Sequence, residues 1–450
     1  MFVTALTRRP RRAVFSLALV LGLAMLASCS PAPPAPKVVH EAALEVLSTR
    51  HLTDRLVELD VRSAAVGRTQ LRVMLPVGFE ANPDRSYPTL FLLHGGSGNY
   101  EEWTSEPKGV TVGSSLEQAT ASYDMLVVMP DGGPGATFLN WLYPNPLGGR
   151  PQYETYHLNE LPALLRTQFR ANGRSAIAGL SAGGFGAGSY AARHPDMFDA
   201  MASFSGNLDT RDDDVGEPWK SAVPTYFLEH TYPLGDPLTQ EVRWRGHNPL
   251  DLAPNLAHTS MYVAGGDGRL GPLDPPPSLA DFPWLSDFLT LEETTLRRSK
   301  RFVNRLGELN IPVVTHFYGR GTHSGPYWRR ELSLSLPMLA KAMEQNRPTP
   351  ESFTYRSTEN SFDVWGWHFE VRDRREPAFT DITVTNGRVS ATGNGTLDAT
   401  APATWPAGAG TGAGIRFTLD LGGTAERYSS GPDRPGPRPT GPPAVFTAEG

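Results

Sequence analysis

The segment Gly179-Leu180-Ser181-Ala182-Gly183 constrains the fold more than any other part of this sequence. It reads G-x-S-x-G. Ser175-Ala176-Ile177-Ala178 before it is short and apolar enough for a buried strand. Phe185 to Arg193 after it is rich in alanine and glycine and predicts a close-packed helix. A strand that turns abruptly into a helix, with glycine on both sides of a serine, lifts the serine Oγ toward a reactant. The chain contains 45 glycines, so the pentapeptide alone carries little weight. Its flanks and its partners elsewhere in the chain give it meaning.

The elements around it alternate. Leu56 to Val61 and Leu71 to Leu75 predict an antiparallel pair with Gly67 in the turn. Thr89 to Leu93 and Met125 to Met129 are continuous apolar runs, as central parallel strands require. Tyr153 to Phe169 has helical spacing, with Leu158, Leu161, Leu164 and Leu165 on one face. Met201 to Phe204, Ser260 to Ala264 and Pro312 to Tyr318 predict later strands, and Thr290 to Leu309 and Tyr327 to Met343 predict helices. This order predicts an α/β architecture, a mostly parallel sheet flanked by helices, and with the elbow an α/β-hydrolase fold. From Phe353 to Ala399 apolar and polar residues alternate with no helical period, which predicts a small C-terminal β-rich domain. Pro402 to Gly414 and Ser429 to Pro443 are Pro/Gly-rich, as irregular chain is. The expected domains are 46–346 for the catalytic unit, 351–425 for the β-rich unit and 426–450 for a disordered tail.

The N-terminus reads as a targeting segment. Arg8, Arg9, Arg11 and Arg12 precede an apolar stretch from Ala13 to Leu26 that is short for a membrane span. Leu26-Ala27-Ser28-Cys29 is similar to the lipobox of bacterial lipoproteins, and Cys29 is the single cysteine of the chain. The resemblance implies a signal peptide over 1–28, lipidation of Cys29, and anchorage at the outer face of the cytoplasmic membrane. Residues 29–45, with Pro31 to Pro36, then form a stiff tether. Lipidation of Cys29 would leave no cysteine for nucleophilic or metal chemistry. The net charge of −6 and the lack of a basic motif argue against a nucleic-acid partner.

A serine nucleophile needs a base, an orienting acid and an oxyanion hole. The α/β-hydrolase chain order is Ser, acid, His. Among 11 histidines, His323 lies in Gly321-Thr322-His323-Ser324-Gly325, a glycine-flanked loop after the last predicted core strand, where the base belongs. His316 falls inside that strand and His194 at the end of the elbow helix, so both read as packing residues. The acid should follow the strand Ser260 to Ala264. Asp267 and Asp274 compete there on even terms, with Asp281 further out. The second oxyanion donor, beside the Ala182 N–H, should come from His94-Gly95-Gly96-Ser97-Gly98, with Gly96 the best placed. His94, His157 and Asp212 to Asp214 have no metal-ligand spacing, and no metal or cofactor is expected.

These residues resemble a bacterial esterase family that includes esterase D and S-formylglutathione hydrolase and, most closely, the antigen 85 mycolyltransferases. The matching segments run in order: Met129-Pro130-Asp131-Gly132-Gly133, the aromatic loop with Phe138 and Trp141, Tyr153 to Pro162, the elbow, His194-Pro195, Trp244 to Pro249, Gly265 to Gly268, and Gly321 to Trp328. The resemblance spans Leu56 to Met343. It implies Ser181 as nucleophile, His323 as base, Gly96 and Ala182 as oxyanion donors, and Asp274 ahead of Asp267 as the acid. Antigen 85 proteins carry an aspartate where this chain has His94, and an arginine near Ser97-Gly98. Those charged residues hold a sugar acceptor in that family. Their replacement tilts the expected reaction from acyl transfer toward hydrolysis. The expected substrate is an ester or acyl donor, with cell-envelope lipid or glycan as candidates. An aromatic acyl groove could be lined by Thr137 to Tyr143 and by Phe282, Trp284, Leu285 and Phe288, although core or rim packing is the favoured reading of those residues. The alternatives are antigen 85-like mycolyl transfer and, in another class, a non-catalytic cell-surface binding lipoprotein.

Overall fold

The apolar runs assemble side by side in the computed structural model of the chain, which describes residues 44–105, 115–144, 149–210, 233–236, 239–274, 282–345, 347–385, 388–403, 416–421 and 444–447. Nine strands form the central sheet: β1 (Glu45–His51), β2 (Leu56–Ser63), β3 (Gly67–Met74), β4 (Tyr87–Leu93), β5 (Leu126–Pro130), β6 (Ala171–Leu180), β7 (Ala200–Phe204), β8 (Ser260–Gly265) and β9 (Val314–Phe317). Their order is β1-β2-β3-β5-β4-β6-β7-β8-β9. The first three strands and the β3–β5 pair are antiparallel, and every pair from β5 to β9 is parallel. Each predicted core strand is present; β6 runs past its predicted bounds at both ends, β9 is shorter than predicted at both, and β1 is an addition.

Alternation along each strand feeds two cores. Tyr87, Phe91 and Leu93 of β4 share a buried cluster with α1 (Leu161–Phe169), α2 (Ala182–Arg193) and the later turns of α3 (Phe282–Glu308). Leu90 and Leu92 join the other cluster with Trp103 and with Trp328, Leu332, Leu336 and Leu339 of α4 (Gly325–Glu344). Helices therefore cover both faces of the sheet; β5 and β7 are buried at every residue, and β6 is buried over its last five residues, which lead into the elbow.

The β-rich unit is a sandwich. One sheet has the order β10 (Phe353–Ser357), β13 (Thr380–Thr385), β14 (Arg388–Thr392), β17 (Ala444–Thr447). The other has β11 (Ser361–Val364), β12 (Trp367–Arg372), β15 (Thr396–Thr400), β16 (Arg416–Asp420). All pairs are antiparallel, and Phe353, Trp367, Phe369, Val384, Val389 and Leu397 fill the space between. The unit thus reaches past 425. Ala444–Thr447, inside the stretch that composition assigns to a disordered tail, pairs with β14.

A buried charge network joins the sandwich to the last turn of α2. Arg193 donates to Glu154 at 2.9 Å and to Glu359 at 3.0 Å, and His194, at the end of α2, meets Glu154 at 2.8 Å. Tyr355 Oη donates to the Arg193 carbonyl at 2.6 Å. Burial alone would raise the Glu154 carboxyl, but Arg193 and His194 hold it far below the usual carboxylate range. Residues 1–43, with the predicted leader, Cys29 and the proline tether, lie outside the described residues.

Candidate active site

Ser181 sits at the predicted elbow, between the last residue of β6 and the first of α2, with φ 52° and ψ −118°. A non-glycine residue there is strained, and the surrounding structure must hold it. The Ser181 N–H donates to the Phe204 carbonyl of β7 at 2.8 Å, and its carbonyl accepts from Phe185 N–H at 3.1 Å. The two flanking glycines are required by space. A Cβ on Gly179 would overlap the Gly183 backbone, and one on Gly183 would lie 2.5 Å from the His94 carbonyl oxygen. The elbow is therefore pressed against the loop after β4.

His323 Nε2 lies 2.9 Å from Ser181 Oγ. The ring is 3% exposed, and Trp328 packs edge-on against it with centroids 4.9 Å apart. On its other side, Nδ1 meets Glu292 Oε2 at 2.6 Å. The Glu292 carboxylate is fully buried and further bonded on Oε1 by Ser205 Oγ at 2.8 Å and Gly266 N–H at 2.6 Å. Trp328 Nε1 donates to Ser205 Oγ at 3.0 Å, so the residue that packs on the imidazole also braces the carboxylate's partner. Tyr318 nearby is pushed well above its ordinary value, by burial and then by the Glu292 charge.

The expectation of an aspartate at His323 is corrected. Asp274 accepts from Gly271 N–H at 2.8 Å, from Tyr327 Oη at 2.9 Å and from Thr322 Oγ1, and bonds no imidazole. It braces the loop that carries His323. Asp267 accepts from Arg269 N–H at 3.0 Å in its own turn. Asp281 lies outside the described residues. The acidic group facing His323 comes instead from α3, on the buried stripe it shares with Thr295, Leu296, Ser299 and Phe302. That stripe was the missed signal: a glutamate on the apolar face of a predicted helix must find a partner.

Gly95 crosses directly over the elbow, since a Cβ there would lie 3.7 Å from Ser181 Cβ. The Gly95 N–H is taken by Glu102 Oε2 at 2.7 Å. Among the described residues, neither Gly96 N–H nor Ala182 N–H has a hydrogen-bond acceptor. Desolvation raises the Glu102 carboxyl above its ordinary value, and the bond from Gly95 opposes that rise.

His94 and His157 belong to one buried network. His157 bonds Tyr190 Oη at 3.1 Å and the Asp131 carbonyl at 3.0 Å. Phe138 packs between the two imidazoles, edge-on to His94 at 5.4 Å and tilted against His157 at 5.8 Å, so the aromatic loop is core rather than groove at that point. Asp212 to Asp214 and the side chains of Phe282, Trp284, Leu285 and Phe288 lie outside the described residues.

Burial lowers His157 to about 4. The unfolded chain takes up this proton near pH 6.5, so between those values it binds more protons than the folded chain. The stability that His157 contributes should be full above pH 6.5, and about 3 kcal/mol of it should be lost as the pH drops toward 4. Urea midpoints across that range measure it. In His157→Phe the slope should be shallower, leaving the part due to His247, which burial lowers in the same way.

A parallel sheet with an antiparallel edge, helices on both faces and a strained serine at a strand–helix turn define the α/β-hydrolase fold. The chain belongs to the esterase family whose model, described as "Putative esterase", matches residues 63–339. Esterase Rv1288 of Mycobacterium tuberculosis (strain ATCC 25618 / H37Rv) is 29% identical over 286 residues, 61% of this chain and 57% of the relative. Diacylglycerol acyltransferase/mycolyltransferase Ag85C of Mycobacterium avium is 27% identical over 242 residues, 50% of this chain and 63% of the relative. The chain thus spans less than two thirds of the length of these curated relatives. Two solved structures align with the chain: Mycobacterium tuberculosis MPT51, with 22% identity, TM-score 0.48 and coverage of 63% of this chain and 97% of that one, and an S-formylglutathione hydrolase from Agrobacterium tumefaciens, with 18%, 0.48, 66% and 99%.

Proposed function

We propose that this chain is a serine esterase that cleaves carboxylic esters through an acyl-enzyme, with Ser181 as nucleophile, His323 as base and Glu292 as the orienting acid. The observation that carries the reading is the continuous line Ser181 Oγ–His323–Glu292, at 2.9 and 2.6 Å. His323 Nε2 takes the Ser181 proton as Oγ attacks the ester carbonyl carbon. Glu292 keeps the proton on Nδ1 and offsets the charge of the imidazolium. The Gly96 and Ala182 N–H groups receive the tetrahedral oxyanion. Collapse breaks the ester C–O bond, and the His323 proton leaves with the alcohol. Water or a second alcohol then repeats the sequence in reverse on the acyl-enzyme.

Water is the favoured acceptor. His94, at the position where the antigen 85 resemblance implies a sugar-binding aspartate, is 1% exposed, and both of its ring nitrogens are bonded to backbone groups. It offers nothing to a polyol. The test is turnover of a short-chain p-nitrophenyl ester with and without trehalose or glycerol. Free acid should be the product in both arms. An acylated polyol as the main product would make the chain an acyltransferase, and no turnover would sink the esterase reading.

The substrate class extends this reading to esters of cell-envelope lipids or glycans, because the leader and Cys29 fit a lipoprotein at the outer face of the cytoplasmic membrane. Labelled palmitate should be incorporated into the chain in cells, and Cys29→Ser should lose it.

A further inference from the structure

An oxyanion donor on a glycine loop is only as good as the aim of its peptide plane. Gly95 lies between two such planes, and a different side chain holds each. Glu102 Oε2 accepts the Gly95 N–H at 2.7 Å, which fixes the His94–Gly95 unit. His94 Nδ1 bonds the Gly95 carbonyl at 2.8 Å, which fixes the Gly95–Gly96 unit. The Gly95 carbonyl and the Gly96 N–H belong to one planar trans peptide and point opposite ways. Holding the carbonyl against the imidazole therefore turns the Gly96 N–H away from it.

The direction of the His94 bond is set from behind. Gly132 N–H donates to His94 Nε2 at 2.8 Å. A backbone N–H can only donate, so Nε2 carries the lone pair and Nδ1 the proton. Asp131 Oδ1 is 3.7 Å from Nε2, beyond hydrogen-bond distance, and accepts from Gly133 N–H at 2.8 Å. The support for Glu102 is equally firm. Trp103 Nε1 donates to the Leu93 carbonyl at 3.0 Å, and Arg72 of β3 bonds Glu101 and Thr104, each at 2.8 Å.

We propose that His94 and Glu102 are positioning residues of the acyl-transfer centre, setting the two peptide planes beside Gly95 and thereby aiming the Gly96 N–H at the developing oxyanion. The inference rests on the esterase reading and on Gly96 as a donor.

The test compares His94→Phe and Glu102→Leu, which each remove a clamp, with Glu102→Gln, which keeps an acceptor oxygen. The readouts are kcat and KM on a soluble ester, melting temperature, and affinity for an arylboronic acid that forms a tetrahedral adduct on Ser181. In His94→Phe and Glu102→Leu, kcat should fall about 10- to 100-fold while KM changes less than about threefold. Boronate affinity should fall in proportion to kcat/KM, and Glu102→Gln should keep most of the activity. Folded variants with wild-type kcat and boronate affinity overturn the proposal, as does a rise in KM alone. Should His94→Phe fail to fold, the Glu102→Leu and Glu102→Gln pair decides. An inactive wild-type protein overturns the esterase reading itself, a result separable from both.

Discussion

Ser181→Ala should lower kcat for ester turnover by about ten-thousand- to a million-fold and abolish labelling by a fluorophosphonate probe. The size follows from the site's construction. Without Oγ there is no acyl-enzyme, and His323 has no proton to take. What survives is the slow attack of water on an ester held by the Gly96 and Ala182 N–H groups. The fold should be unaffected. Alanine keeps Cβ, so the strained conformation at φ 52° costs as much with it as with serine. Equal melting temperatures with collapsed activity are the expected pair of results. A Ser181→Ala protein that still turns over at the wild-type rate would remove Ser181 from the mechanism.

Glu292→Gln should cost about a thousand- to ten-thousand-fold in kcat, while Asp274→Asn and Asp267→Asn should each stay within about tenfold of the wild type. Glutamine preserves the shape and can still accept from Ser205 Oγ and Gly266 N–H. Toward His323, however, it presents a neutral group. The imidazolium that forms during attack then has no counter-charge in a site where the carboxylate is fully buried. Asp274 acts one step further away. Its bonds to Thr322, Tyr327 and Gly271 N–H steady the loop on either side of His323, so losing its charge should loosen the base without removing its partner. Measuring kcat/KM for the three variants on one ester separates the roles. An Asp274→Asn loss as large as that of Glu292→Gln would contradict the geometric assignment.

Much of this site is legible in the sequence. The elbow and the Gly321–Gly325 loop are short motifs in which the residues that do the chemistry are contiguous with the glycines that shape the turn. Pattern and geometry coincide there. The central strands were legible for a related reason: a strand buried on both faces must be apolar at every position, and β4, β5 and β7 are nearly so. The acid was not legible by the same rule. Glu292 reaches His323 from a helix rather than from the turn after β8, and nothing local to it resembles a motif. Only its place on a buried helical stripe betrays it. The sandwich was legible as alternating strand but not as two four-stranded sheets. β17 in particular is only four residues long, directly after a long Pro/Gly-rich stretch, and its pairing with β14 depends on a partner far back in the chain.

Helix α2 fixes how far the nucleophile lies from the sandwich. Its first residue supplies the Ala182 N–H beside the nucleophile, and its last, Arg193, is gripped by Glu359 and Tyr355 of the sandwich. Twelve residues of helix separate the two ends by about 18 Å. A short ester at Ser181 cannot also touch the point where the sandwich is bolted on.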